Sequence, residues 1–362
     1  MAVVASTESE RAAPRAQFFR DVVGADEETF RRWPIERRAA VMESAARDGR
    51  EIWRLRSEDG SVFDAGSFEA ISIAALRERS RRPGPGGGTL SIVDGVRRDG
   101  PRDKAAVDVA SLQASPEHLG AVFQVASNFN ALEAPGPDTD IDDQRISDYV
   151  FDLTQGPAAS ISAAPGLILR HYFTPRVNLL AAIPELDVTG AGYVRIDRVL
   201  RERVKPTDDH IANIQVGLHR DVEVTHGYML DARTHVRLGR PAHTITQVLS
   251  AAVDLAGANR VHRNDPLAWA WAQALLNAAY EGTLRAAVAC GQTKVFLTLV
   301  GGGVFGNDPP WIAAAIERME PLIVSAGLDV TVIGYNRMPA SIGDRLRAMA
   351  LRTGGRVDSA GT

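Results

Sequence analysis

The chain has 362 residues, 45% of them apolar, a net charge of −4 and one cysteine. That length allows one large domain or two smaller ones, and no apolar run reaches the length of a membrane span. The charge argues against a general nucleic-acid binder, and the lone Cys290 excludes an intrachain disulfide or a cysteine-based zinc site, which suits a reducing cytoplasm.

In chain order, residues 1–15 are rich in Ala, Ser and charge, and the first twenty residues hold no apolar segment of a signal peptide. Glu27 to Leu55 carries helical patterning, with Phe30, Trp33, Ile35, Val41 and Met42 as an apolar face. Ser67 to Arg81 is expected to form another helix. Arg82 to Gly88 breaks the pattern and reads as a flexible surface loop. It is not a phosphate loop, since no strand precedes it and no Lys-Ser or Lys-Thr follows. Thr89 to Val93 reads as a short strand. Residues 1–115 are expected to be an N-terminal extension or lid.

Gly120 to Asn130 is strand-like and ends in amides, and Ala134 to Asp143 is a turn-rich acidic loop. Tyr149 to Gly166 is expected to open into a helix of small residues. From His171 to Gly257 the patterning is weakest, with strand-like patches at Val188 to Val199 and Ile214 to Met229. His210, His219, His226, His235 and His243 fall in its second half, at spacings that match no metal motif; surface or hydrogen-bonded histidines are the expectation, and no metal site. Thr244 to Val253 resembles a buried strand. Asn264, Asp265 and Pro266 form a helix start, and Leu267 to Ala289 is a long Ala-rich helix ended by Gly291. Its Trp269 and Trp271 are expected in the core. Asp329 to Tyr335 is a last buried strand; Asn336 to Thr362 is expected to hold one short helix, with residues 341–362 as a C-terminal tail.

The most informative stretch lies between these. Lys294 to Val300 is β-branched and apolar, three glycines end it, and Asp308-Pro309-Pro310 starts the next helix, from Trp311 to Ser325. A strand, a glycine loop and a helix N-terminus in series form an anion cradle, because glycine lets backbone N–H groups approach a phosphate. The plainer alternative is a β-to-α turn with Asp308 as its cap. From residue 266 on, helix, strand, loop, helix and strand alternate, which points to an α/β layered fold. Ligands in such sheets sit at the carboxyl ends of strands. Those ends here are Asn128/Asn130 and Gly301 to Asp308.

Val125-Ala126-Ser127-Asn128-Phe129-Asn130 and Gly301-Gly302-Gly303-Val304-Phe305-Gly306 together resemble two motifs of the macrodomain family, which binds ADP-ribose. The likeness covers roughly residues 120–165 and 245–335. It implies a three-layer α/β/α sandwich with a mixed sheet spanning residues 116–340, with 165–245 as a long insertion. The glycine loop of many hydrolytic macrodomains carries an Asp that Thr154-Gln155-Gly156-Pro157-Ala158-Ala159-Ser160 lacks; Asp152 lies just before it. The combination is closer to a divergent group that includes bacterial-effector hydrolases removing ADP-ribose from arginine.

The resemblance implies ADP-ribose as ligand and product, with no cofactor required and with ADP-ribosylated protein or a small molecule as partner. It implies ligand contacts from Asn128, Asn130, Thr154, Gln155 and Gly156, and from Gly301, Gly302, Gly303, Val304, Phe305, Gly306 and Asn307. Phe305 would cover the distal ribose or else plug the core. Cleaving a glycosidic bond needs carboxylates to donate a proton and place water, and Glu133, Asp152 and Asp308 are the catalytic candidates. Asp138, Asp140, Asp142 and Asp143 form either a solvated loop or a grip for a guanidinium or a divalent cation. The expected activity is an ADP-ribosyl hydrolase acting on arginine. The alternatives are a non-catalytic ADP-ribose reader and another enzyme acting on an NAD-derived nucleotide.

Overall fold

A computed structural model describes residues 17–47, 49–81, 84–95, 107–152, 154–229, 234–239, 242–335 and 338–359. Fourteen strands are assigned in chain order: β1 (Met42–Arg47), β2 (Arg50–Arg56), β3 (Val62–Ser72), β4 (Thr89–Asp94), β5 (Val122–Ala126), β6 (Asp187–Val188), β7 (Val194–Arg195), β8 (Gln215–Glu223), β9 (His226–Met229), β10 (Thr234–Arg237), β11 (Thr244–Ser250), β12 (Lys294–Leu297), β13 (Asp329–Gly334) and β14 (Val357–Ser359). Ten of them make one sheet in the order β1-β2-β3-β8-β11-β5-β12-β13-β4-β14, and β6-β7 and β9-β10 make two small ribbons. From β1 to β11 the neighbours are antiparallel; from β11 to β14 they are parallel. The mixed sheet matches the expected fold class.

Strand β5 shows why both faces are covered. Successive side chains point to opposite faces of a strand. Val122 joins the core that holds Trp271, Leu275 and Ile312, while its neighbours Phe123 and Val125 join another that holds Val109 and Ala159. Gln124, on the Val122 face, donates to the Ala279 carbonyl of the Pro266–Cys290 helix at 3.3 Å. That helix starts as the sequence indicates, with the Asp265 carboxylate accepting from Leu267 N–H, and ends on Gly291 at φ 71°. A left-handed residue after a helix is a position that glycine fills without a Cβ penalty. The three-layer α/β/α arrangement follows.

The structure differs from the sequence expectations in four places. Residues 27–55 are not one helical stretch: short helices Glu27–Arg32 and Ile35–Ala39 are separated by Pro34, and β1 and β2 follow, turning at Gly49 with φ 73°. Ser67 to Arg81 divides into the end of β3 and the helix Ile73–Arg79, whose Ala75 N–H the Ser72 hydroxyl accepts. The N-terminal 115 residues are not an appended lid, because β3 and β4 lie inside the large sheet, β4 between β13 and β14. The 165–245 segment likewise supplies β8 to the sheet, while the helix expected near the C-terminus is Ala340–Thr353, 14 residues long, with β14 after it. Pairings such as Leu90 with Val330 join residues too distant in sequence for local patterning to show. The expected flexible loop at 82–88 lies partly outside the described residues; Gly88 packs tightly, since a Cβ there would sit 2.0 Å from the Ile323 carbonyl oxygen.

Candidate active site

The carboxyl ends of the parallel strands β11, β5, β12 and β13 surround a cavity of about 670 Å³. Its walls come from Ala126 to Asn128, Ala252, Thr298 to Phe305, and Ile333 with Tyr335. Thr154, Gln155 and Gly156, at the start of the Gln155–Ser162 helix, close another side with Glu133 and Asp152.

The glycine loop is pinned at both ends and free in the middle. The Asn307 amide donates to the carbonyls of Val253 (2.8 Å) and Gly301 (3.2 Å), and the Phe305 carbonyl accepts from Leu255 N–H at 2.9 Å. Gly301 and Gly306 hold φ of 76° and 65°, where a side chain would be strained. A Cβ on Gly301 would also approach Ala252 Cβ to 2.6 Å. Between these anchors, the N–H groups of Gly303, Val304 and Phe305 make no hydrogen bond among the described residues. Val304 is 70% exposed at the lip. A run of unengaged backbone N–H groups is an anion site by its dipoles alone. Phe305 is half-buried against Tyr193, with ring centroids 5.5 Å apart.

Glu133 is the chemically distinctive residue. Its Oε1 is buried and has no hydrogen-bond partner among the described residues, although the residue borders the cavity. Burial pushes its carboxyl well above the ordinary carboxylate range; the Asp152 charge raises it further, and the Arg170 charge opposes both. An uncharged carboxyl is a proton donor, which is the property a general acid needs at neutral pH. The carboxyl fits because residue 156 is glycine: a Cβ there would lie 2.4 Å from Glu133 Oε1 and 2.3 Å from the Ala126 carbonyl oxygen. Its main chain is fixed by Tyr149, whose hydroxyl accepts from Glu133 N–H at 2.8 Å and donates to the Glu133 carbonyl at 2.9 Å. Asp152 is exposed, and one of its oxygens accepts from Thr154 N–H at 2.8 Å.

Behind Glu133 lies a buried cation. Arg170 donates to the Ala131 carbonyl (3.3 Å), to His219 Nδ1 (2.7 Å) and to Gln247 Oε1 (3.5 Å). Burial pulls its pKa down to about 10, and a charge on Glu133 would oppose that shift. His219 Nε2 donates to the Ala65 carbonyl at 2.7 Å, and burial with the Arg170 charge keeps the ring neutral. Arg170 therefore acts on Glu133 through space, and Arg170→Gln is expected to move the basic limb of any Glu133-dependent pH–rate profile upward. The sign follows from the charge: a cation favours the carboxylate, so its removal keeps Glu133 protonated to higher pH. A pH–rate profile of the variant checks this.

The other expected site residues divide. Asn128 lines the cavity, but its amide donates to the Ala191 carbonyl at 3.0 Å. Asn130 does not line it; its amide donates to the Gly190 carbonyl at 3.1 Å, and its oxygen accepts from Leu132 N–H. Both tie the 128–132 turn to the ribbon that carries Tyr193. Gln155 borders the cavity while bridging Val109 N–H (2.9 Å) and Asp108 (2.9 Å). Asn307 is a strut inside the loop, so its expected ligand contact is replaced by a structural role. Gly306 and Asp308 border a separate, smaller recess. Asp308 sits at the N-cap of the Pro309–Glu317 helix, yet its side chain makes no capping bond: the prolines at the first two positions have no N–H, and Trp311 N–H goes to the Asp308 carbonyl. Asp308 lies outside the cavity that holds Glu133, where the sequence placed it as a catalytic candidate.

The acidic loop borders the cavity through Ala134 and Pro135, but Asp138, Asp140, Asp142 and Asp143 lie outside it. Asp142 is held by Arg176 at 2.6 Å, and Arg31 donates to the carbonyls of Asp142, Asp143 and Gln144. The protein's own guanidinium groups thus engage Asp142 and Asp143, two of the four aspartates expected to grip a substrate's. Among the described histidines, His210 caps its helix with Thr207, His226 approaches Asp21 at 3.4 Å, and His243 Nε2 donates to the Gln113 carbonyl. Among the described residues no three His, Cys, Asp or Glu side chains gather as metal ligands. No helix there is long and apolar enough to cross a membrane. Sequence alone missed Tyr149, Arg170 and Tyr193: none carries a local motif, and their roles come from contacts with residues outside their own elements.

No family model matches the chain, and no curated protein does. Among solved structures, the chain is similar to poly(ADP-ribose) glycohydrolase from Thermomonospora curvata, at 15% identity and TM-score 0.45 over 83% of this chain and 93% of that one. The same enzyme bound to the inhibitor ADP-HPD overlaps with TM-score 0.46 at 15% identity, over 95% of this chain and 100% of that one. Poly(ADP-ribose) glycohydrolase from Deinococcus radiodurans in complex with ADP-ribose overlaps at 16% identity and TM-score 0.44, over 79% of this chain and 95% of that one. At this identity and overlap the likeness transfers no residue role to this chain.

Proposed function

We propose that this chain is a glycosidase-type hydrolase that releases ADP-ribose from an ADP-ribosylated protein or small molecule. The observation that carries the proposal is the buried, unpartnered Oε1 of Glu133, whose carboxyl burial pushes well above the ordinary carboxylate range, set in one cavity with the free N–H groups of the glycine loop. The N–H groups of Gly303 to Phe305 bind the diphosphate. Phe305 and Tyr193 cover the distal ribose. As the bond from the anomeric carbon to the leaving oxygen breaks, Glu133 gives its proton to that oxygen. Positive charge then develops on the ribose beside the newly formed Glu133 carboxylate and the exposed Asp152. Water adds to the anomeric carbon and returns a proton to Glu133. Both proton transfers use groups of the chain itself, so the scheme requires no cofactor.

The linkage follows from the same carboxyl. A sugar or serine oxygen leaves as a strong base and needs a proton. An arginine guanidinium already carries its proton and departs as neutral guanidine. A buried acid therefore favours an oxygen-linked substrate. The arginine linkage is the second reading, and the exposed Asp152 carboxylate at the cavity favours it as the group that could receive a guanidinium. Release of label from substrates ADP-ribosylated on serine, glutamate or arginine decides between them. Faster release from serine supports the acid role of Glu133; faster release from arginine supports Asp152 as the recognising group. Binding of ADP-ribose without release from any of them makes the protein a reader.

A further inference from the structure

A second recess of about 440 Å³ lies on the far side of the glycine loop, and its lining shares no residue with the main cavity. Its rim is built from two helix starts. Trp269, near the start of the Pro266–Cys290 helix, and Trp311, in the first turn of the Pro309–Glu317 helix, meet with ring centroids 6.2 Å apart. Trp269 is 40% exposed, although the sequence suggested a core position. Its indole N–H donates to the Arg263 carbonyl at 2.7 Å, which fixes the ring while leaving a face open. The Arg263 guanidinium and the Asn264 amide border the same recess, are exposed, and have no side-chain partner among the described residues. The exposed Asp308 carboxylate stands beside them.

We propose that this recess is a purine-nucleotide site distinct from the cavity that holds Glu133. An indole held rigid with one face open stacks a flat heterocycle, and such stacking is tolerant of which base it takes. The Asn264 amide offers one donor pair and one acceptor, which matches the polar edge of a purine. A free guanidinium binds a phosphate with two parallel hydrogen bonds. The Asp308 carboxylate repels a phosphate placed next to it and accepts from ribose hydroxyls instead. These groups fix one orientation: base on Trp269, phosphate toward Arg263, sugar toward Asp308. An apolar peptide side chain would leave Arg263, Asn264 and Asp308 unused. The proposal goes beyond the hydrolase function and does not depend on it.

The test uses AMP and the full chain, with ligand-observed NMR of saturation transfer to the adenine H2 and H8 protons. Saturable transfer is expected in the wild type and in Gly302→Glu, which obstructs the main cavity. Trp269→Ala is expected to weaken AMP by about tenfold or more, the order seen when a stacking platform is removed. Arg263→Glu keeps both indoles and is expected to weaken AMP while leaving adenosine binding nearly unchanged. Loss of AMP transfer in Gly302→Glu, with retention in Trp269→Ala and Arg263→Glu, would place AMP in the main cavity and overturn the proposal. No saturable transfer in the wild type would overturn it as well. The hydrolase proposal fails separately, if ADP-ribosylated substrates are neither bound nor cleaved.

Discussion

Glu133→Gln is expected to lower release of ADP-ribose by about 10²- to 10⁴-fold, the range for loss of a positioned general acid. Glutamine keeps the shape and a polar end but has no proton to give. Binding of ADP-ribose is expected to stay within a few-fold, since the diphosphate contacts come from the loop of residues 303–305. Stability is expected to move the other way. A carboxyl whose folded pKa is raised disfavours folding as pH rises from the unfolded pKa through the folded one, because the native state must then give up a proton it holds more tightly. The glutamine variant is free of that loss, so its melting temperature should equal or exceed that of the wild type at neutral pH. Wild-type turnover should fall as pH rises through the Glu133 pKa. Turnover assays with melting curves at several pH values check all three. A variant that melts early and loses binding along with turnover would make Glu133 a structural residue.

Gly302→Glu is expected to weaken ADP-ribose by about a hundredfold or more, since each tenfold corresponds to about 1.4 kcal/mol and a carboxylate set against a diphosphate costs about two such steps or more. Gly302 is exposed and does not hold a left-handed φ, so the backbone accepts a side chain there. A Cβ would meet the tip of the buried Ile312 side chain at 2.8 Å and the Leu299 carbonyl oxygen at 3.2 Å, so a methyl group there asks for a small local shift. Gly302→Ala is therefore the control, with affinity expected within a few-fold of wild type. Calorimetry with ADP-ribose separates the two. Equal loss in both would point to loop distortion rather than charge.

The elements legible in the sequence are those specified locally. Strand β12, its glycine loop and the start of the following helix are legible in the local pattern, as are β5 and the long helix between the Asp265 cap and Gly291; the helix expected to run to Ser325 instead ends at Glu317, and a second one, Glu320–Ala326, follows it. Glu133 and Asp152 were legible as carboxylates near a motif, but the burial that sets Glu133 apart was not. It depends on Gly156 and Tyr149, which arrive from a different segment. Asp308 and the acidic loop misled for one reason. A carboxylate near a motif in sequence can point away from it in space, and Asp142 meets Arg176 rather than a ligand. The sheet was underread because β3, β4 and β8 pair over long sequence separations, and a strand's alternation does not name its partner. Trp269 was assigned to the core from the helix's apolar content, yet it sits where that helix emerges at the surface.

The most direct test is a crystal structure of Glu133→Gln with bound ADP-ribose. The diphosphate is expected on the N–H groups of residues 303–305, with the distal ribose between Phe305 and Tyr193. Its anomeric oxygen is expected within hydrogen-bond reach of the residue-133 amide, about 2.6–3.2 Å. A diphosphate elsewhere, or an anomeric carbon turned away from residue 133, would contradict the assignment of Glu133 as the proton donor.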